Sequence, residues 1–432
     1  MLIHNIKLQN FRAFETLEVK FDSQMTVLVG ENGVGKTTVL EAAAIAAGTF
    51  FYSLDGIKNT GIKKSDAHYK YFKMGSSVDV QPQYPVEVSA EGTINKKNIS
   101  WTRSLNGEDK NTTIIKAKEL TQISKEYQDR LRKGDTTLMM PVLVYYGTSR
   151  LWDSHREKRN DIFRKNTRIN GYIDSLDGTP NVKLMLKWFQ KMALTDSQRE
   201  TPSPEFAAVR SAMEKCFSLL TGSDTVRVQL NPDTLEIDII YVDSEQNKIK
   251  MPLSQMSDGY RCTISLIGDI AYRMAILNPQ FSGNILLETS GIVLIDEIDL
   301  HLHPRWQQRV LNDLTNIFPK VQFIVTTHAP AVINSVKSKN LVILKENQVY
   351  EAHSQVYGKD IKSILNEIMG VTERPPKIAK LFDTFYEQLS SKAFDAAENT
   401  LDEIDILREY HDQEVAGCRV KLKLERMKGG KL

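Results

Sequence analysis

What this chain has little of narrows its class. Only three cysteines occur in 432 residues, Cys216, Cys262 and Cys418, far apart and each in helix-like sequence. No pair has the spacing of zinc ligands, so all three read as packing residues, a usage that fits a reducing cytosol. Long apolar runs are missing: residues 292–295 and 42–47 fall far short of the ~20 residues that span a bilayer. The first 14 residues alternate polar and apolar instead of running basic and then apolar, so no signal peptide is expected. A soluble, cytoplasmic protein without a membrane partner is predicted. Charge of one sign is lacking too, since 56 Lys and Arg against 54 Asp and Glu leave +2. Any basic surface must therefore be local. Internal repeats and low-complexity tracts are absent. With 41% hydrophobic and 25% charged residues, the chain has the make-up of a globular protein with one large α/β domain carrying embedded or appended parts.

Residues 2–9 alternate, as do Leu17, Val19 and Phe21, which predicts an antiparallel N-terminal hairpin. A short apolar run at 25–29, a glycine loop and an Ala-rich stretch at 36–47 predict a buried strand, a loop and a helix. Residues 49–140 turn polar and basic, with a strand pair near 86–89 and 99–103 and a helix over 117–131. Helices are expected at 182–192, 206–220, 257–276 and 306–317, with short strands over 226–253. Buried strands are expected at 141–146, 292–295, 323–325 and 341–344. Strands alternating with helices imply a mainly parallel sheet covered on both faces. After Pro375-Pro376 the sequence is helical to its end.

Residues 30–37, Gly-Glu-Asn-Gly-Val-Gly-Lys-Thr, have the phosphate-loop spacing of a glycine, four residues, then Gly-Lys-Thr. Glycines let consecutive backbone N–H groups curl around phosphate oxygens, and the following helix adds the positive end of its dipole. Glu31, Asn32, Gly33, Val34, Gly35, Lys36, Thr37 and Thr38 are thus the expected ATP cradle. Lys36 reaches the β- and γ-phosphates, and Thr37 holds Mg²⁺. The run Ile292-Val-Leu-Ile-Asp296-Glu297 is the companion, a buried strand ending in two acids. Asp296 is expected to serve Mg²⁺ and Glu297 to orient or deprotonate the attacking water. Ser257, Asp258 and Gly259 place a serine cap and a glycine at a second helix start, another anion-facing terminus. Thr326-Thr327-His328 ends a further strand, where the imidazole can touch the γ-phosphate.

In the order loop, capped helix, acid pair and histidine, these elements resemble an ABC-type ATPase head. The resemblance implies an α/β fold with a mainly parallel core sheet, an antiparallel N-terminal β subdomain, a helical insertion and a helical C-terminal tail. It also implies a homodimer in which Ser257 and Gly259 meet the nucleotide of the second subunit, with Asp299 in the loop coupling the two sites. Asn10-Phe11-Arg12 is similar to the opening of the RecF, SMC and overcoming-lysogenisation-defect branch, where this arginine lies near the nucleotide. Residues 141–152, 257–261, 297–304 and 380–401 resemble the PtuA ATPases of Septu anti-phage systems, which some retron systems also carry. That resemblance implies a regulator that binds a PtuB-like HNH nuclease, in a dimer or an oligomer of dimers. The head is expected over 1–345, with inserted regions near 50–140 and 151–225, and a helical partner or oligomerisation region over 346–432. Two alternatives are a RecF-like repair ATPase binding DNA directly and a nucleotide-locked scaffold with negligible turnover.

Asp258 and Tyr260 stand where transporters carry Gly and Gln, and residues 145–150 hold no metal-binding Gln. Arg150 either touches phosphate in its place or pairs with an acid. The basic run from His155 to Arg168 and the basic end at 421–431 fit nucleic acid, an acidic partner or solvated helix faces. Asp402, Glu403 and Asp405 read as a solvated face, so any cutting of DNA is expected from a partner.

Overall fold

The computed structural model describes residues 1–148, 167–178, 182–243, 245–352, 355–371, 374–408 and 413–429. Arg150 and the basic run from His155 to Lys165 lie outside the described residues. Two compact units result, residues 1–359 and residues 360–432.

In the first unit, β1 (Leu2–Phe11) and β2 (Phe14–Lys20) form the expected hairpin, and β3 (Met25–Val29) leads into the phosphate loop and α1 (Lys36–Gly48). A second hairpin, β4 (His68–Met74) and β5 (Ser77–Gln83), had no clear signal in the sequence. A third follows, β6 (Val86–Ile94) and β7 (Lys97–Leu105), and then α2 (Lys118–Arg132). Because β6 pairs with β1, these strands join a four-stranded antiparallel sheet in the order β2-β1-β6-β7. Part of the segment expected as an insertion therefore completes the N-terminal sheet. Five alanines of α1 are buried together with Val39, Leu40 and Ile45, because small side chains let the helix be covered on all sides.

The chain continues through β8 (Val142–Tyr146), α3 (Val182–Asp196) and α4 (Pro204–Thr221) to β9 (Val226–Leu230), β10 (Ile237–Val242) and β11 (Lys248–Pro252). The last three form a separate antiparallel sheet in the order β11-β10-β9. Next come α5 (Asp258–Leu277), α6 (Ile285–Glu288), β12 (Gly291–Ile295), α7 (Pro304–Gln307), α8 (Val310–Ile317), β13 (Val321–Thr326) and α9 (Pro330–Ile333). The strand pair β14 (Leu341–Lys345) and β15 (Gln348–Glu351) closes the unit. The single helix expected over 306–317 is broken after Gln307. Trp306 anchors the first piece by donating from its indole N–H to Leu220 O at 3.0 Å, and Gln307 donates to Leu302 O at 3.0 Å.

The core sheet runs β15-β14-β3-β13-β12-β8, parallel except at the β14–β15 edge. All five residues of β3, β8 and β12 are buried, as expected of strands covered on both faces. This order places β13 between the phosphate-loop strand and the acid-pair strand. The carboxyl ends of parallel strands open onto a common crevice.

The second unit holds α10 (Ile361–Glu367), α11 (Pro376–Ser390), α12 (Phe394–Leu407) and α13 (Gln413–Gly429). Phe382, Phe385, Leu389, Ala397, Leu401 and Ile404 form its core with Val415, Cys418 and Leu422 from α13. Arg419 reaches Asp402 at 2.7 Å and Asp405 at 3.1 Å, so two of the three clustered acids are spent on an ion-pair network. No helix among the described residues is long and apolar enough to cross a membrane.

Candidate active site

The phosphate loop bends between β3 and α1 through Gly33 and Gly35, whose φ values are 84° and 94°. Those left-handed conformations suit glycine. At Gly35 space forbids more as well, since an added Cβ would lie 2.3 Å from the Phe14 ring. Glu31, Asn32 and Gly33 are exposed, Val34 packs over Gly30, and Thr38 is buried in α1. Lys36 folds back over the loop, its Nζ donating to Gly30 O at 2.9 Å and Glu31 O at 2.8 Å. Burial lowers its pKa below the usual 10.5, while Asp296, Glu297 and Asp299 work in the other direction. An ammonium held by neutral carbonyls in a buried cradle is poised to exchange them for phosphate oxygens.

Asp296 follows β12 and locks three elements together. Its Oδ2 accepts from the Thr37 hydroxyl at 2.8 Å, and its Oδ1 accepts from the Thr326 hydroxyl at 2.6 Å. Glu297 has a positive φ of 48°, rare for a residue with a side chain. Its N–H donates to Thr326 Oγ1 at 2.7 Å, Ile298 N donates to Thr326 O at 2.9 Å, and Leu300 N donates to Glu297 O at 3.0 Å. The strand-end threonine therefore fixes the backbone from which the carboxylate springs. Asp299 accepts from Thr327 Oγ1 at 2.5 Å, and that hydroxyl accepts from Ala329 N at 3.0 Å. His328 sits just beyond, half-buried. Burial and then the Lys36 charge lower its pKa below 6.5, against Asp299, Glu297 and Asp296, so its imidazole is neutral at pH 7. Thr326 and Thr327 had no assigned role in the sequence, although a polar pair closing an apolar strand was visible there. Tyr145 is a further neighbour, its phenol pushed well up by burial and then by the Asp296 charge.

The serine-led helix is built differently. Ser257 occupies the N-cap position of α5 but is exposed and makes no capping bond, which corrects the expected serine cap. Asp258 pairs with Arg261 at 2.6 Å. Gly259 is buried, and a Cβ there would lie 2.6 Å from His301 O. Tyr260 packs edge-on against Trp306 at 4.5 Å and lies 5.4 Å from Phe217. This accounts for an aromatic ring at a position where transporters carry Gln. The helix start is thus braced by the loop that follows the acid pair. No hydrogen bond or ion pair joins residues 257–259 to the phosphate loop among the described residues.

Arg12 is held beside the phosphate-loop helix by two carboxylates. Its φ is 52°, its Nε donates to Asp66 Oδ1 at 2.8 Å, and its guanidinium also pairs with Glu41 of α1. Burial opposes the charge, but those two carboxylates outweigh it and raise the pKa. Lys36, Thr37, Asp296, Glu297, Asp299 and His328 share the crevice, while Arg12, in the β1–β2 turn, flanks it through Glu41 of α1. The crevice offers a hydroxyl and a carboxylate 2.8 Å apart. These are hard oxygen donors of the kind Mg²⁺ takes alongside substrate phosphates, so the residues fit that ion.

A glycine cradle with a buried lysine, facing an acid pair across an intervening strand, defines a phosphate-loop nucleoside triphosphatase. The protein family described as an AAA domain matches residues 5–217. The "Retron Ec83 probable ATPase" of Escherichia coli is 27% identical over 91% of this chain and 81% of its own length. The "Septu protein PtuA" of Bacillus mycoides is 26% identical over 90% of this chain and 48% of its own, so the chain spans about half of that relative. "DNA replication and repair protein RecF" from two Rickettsia species is 20% and 36% identical over 80% of this chain and 99% of theirs. The chain belongs to the RecF-like ATPases, and its homologues include proteins named as Septu PtuA and retron ATPases. It hydrolyses ATP.

Proposed function

We propose that this chain is the regulatory ATPase of an anti-phage defence complex, a homodimer that clasps ATP between subunits and controls a separate PtuB-like HNH nuclease. The observation that carries the reading is the contrast between the crevice, whose polar groups are tied together within one chain, and the exposed Ser257 edge, which meets none of them. A braced, uncommitted helix start suits the γ-phosphate held by a second copy. Lys36 binds the phosphates, with Thr37 and Asp296 holding Mg²⁺, which supplies charge neutralisation on the phosphates. Glu297 orients the attacking water, His328 donates to the γ-phosphate as a neutral imidazole, and Asp299 couples the two sites. Relatives named as Septu and retron ATPases favour the defence role. The helical second unit is the natural dock for the nuclease.

The similarity to RecF proteins favours one other reading, a repair ATPase acting on DNA directly. A small HNH reading frame beside the gene, co-purifying with this chain, separates the two. Glu297→Gln with ATP tests the clasp. Gel filtration is expected to show ATP-dependent accumulation of the dimer with turnover down ~10²-fold or more, and a persistent monomer would reject the shared site.

A further inference from the structure

We infer that the β4–β5 hairpin is a docking platform for single-stranded nucleic acid. The hairpin forms a two-stranded sheet of its own, paired with no other strand among the described residues. On β4, Tyr69, Tyr71 and Lys73 alternate and so share one face, opposite Pro82, Val80 and Val78 in register. That face is open to solvent, with Tyr71 71% exposed, Val78 55%, Tyr69 45% and Val80 43%. An isolated hairpin gains little stability from displaying apolar surface, so such a face points to an occupant.

Charge selects the occupant. Residues 57–83 carry five lysines, Lys58, Lys63, Lys64, Lys70 and Lys73, against Asp66 and Asp79. Asp66 is taken by Arg12, Lys64 pairs with Asp109 and Lys70 with Glu15. Lys58, Lys63 and Lys73 are exposed and have no acidic partner among the described residues. Lysine is depleted from the cores of protein interfaces, whereas two rings in line with Lys73 on one open sheet face, with Lys58 and Lys63 in the segment leading into the hairpin, match splayed bases and a phosphate backbone. Alternate residues on a strand stand ~6.5 Å apart, room for one base per tyrosine.

The hairpin's root bears on the nucleotide site. Ala67 bridges to Phe11, His68 Nδ1 lies 2.7 Å from Arg12 O, and Arg12 N donates to Asp66 O at 2.7 Å. Arg12 in turn grips Glu41 on the phosphate-loop helix. A strand bound on the platform pulls on the residue that flanks the ATP crevice. The inference does not depend on which nuclease the chain controls.

Fluorescence anisotropy of the full chain with a labelled oligothymidylate of 20 nucleotides tests it. Wild type is expected to bind the single strand more tightly than a duplex of equal length. Tyr71→Ala weakens single-strand binding at least tenfold, as expected for loss of one stacked base. Tyr71→Phe stays within about twofold of wild type, since the ring supplies the stacking. Lys73→Gln lowers the slope of log affinity against log salt by about 0.7. Phosphate release without nucleic acid is unchanged in all three. Equal binding by wild type and Tyr71→Ala overturns the inference, as does no binding by wild type. Loss of dimerisation or of a protein partner by Tyr71→Ala, with oligothymidylate binding intact, also overturns it by assigning the face to protein.

Discussion

Two helix starts in this chain are assigned to phosphate in the proposed function, and they are built on opposite plans. At α1 the loop is wound through left-handed glycines, Lys36 is bonded to two carbonyls, and Thr37 is bonded to an aspartate that also holds β13. At α5 the leading serine is exposed and uncapped, while the backbone behind it is pinned by Gly259 against His301 and by Tyr260 against Trp306. One start is preorganised by bonds within its own chain, as the proposed nucleotide cradle requires. The other is rigid but offers its groups outward, which is what a group contributed to another molecule's site requires. Preorganised donors act without reorganisation when charge develops, so rigidity matters at both.

Breaking the first plan should have the larger effect. Lys36→Ala removes the only cation bonded into the loop among the described residues and should abolish ATP binding in calorimetry, with a loss of 100-fold or more. Breaking the second should separate binding from turnover. Ser257→Arg, at an exposed position, should leave ATP affinity within a few-fold while phosphate release falls ~100-fold, because one transition-state donor is worth at least about that much. If affinity and turnover fall together, Ser257 serves its own chain's nucleotide and the contrast collapses.

The smallest effect sharpens the chemistry of the crevice. Burial and the Lys36 charge depress the His328 pKa, so the midpoint of its protonation lies below the ordinary 6.5. The acid limb of kcat/KM, which reports the free enzyme, should therefore fall below pH 6.5 and disappear in His328→Gln. An acid limb above 6.5, or one that survives the substitution, removes His328 from the reaction.

Most of the core was legible because its signals are local. Apolar runs at 25–29, 141–146 and 292–295 end in turn or acidic residues, and glycine spacing alone locates the phosphate cradle. What stayed hidden depends on contacts across the chain. The β4–β5 hairpin exposes rings on both faces, so no two-fold alternation marks it. The pairing of β6 with β1 joins residues ~80 positions apart, and nothing local in residues 86–94 announces it. In the site, Lys36, Asp296, Glu297 and His328 could be picked out by motif, whereas the clamp by Thr326 appears only once β13 is seen between β3 and β12. Arg12 shows the limit of resemblance. Its place beside the phosphate-loop helix was readable, but its capture by Asp66 and Glu41 was not.

The central claim is that each ATP is shared by two copies of the chain, and the buried state of Cys216, Cys262 and Cys418 gives it a direct test. Asn32→Cys and Ser257→Cys are prepared separately in the Glu297→Gln background, mixed, and treated with a short bifunctional maleimide. A covalent pair of chains should form only in the mixture and only with ATP. If the mixture with ATP gives no more cross-linked pair than either variant alone, the two helix starts never meet across subunits and the account fails.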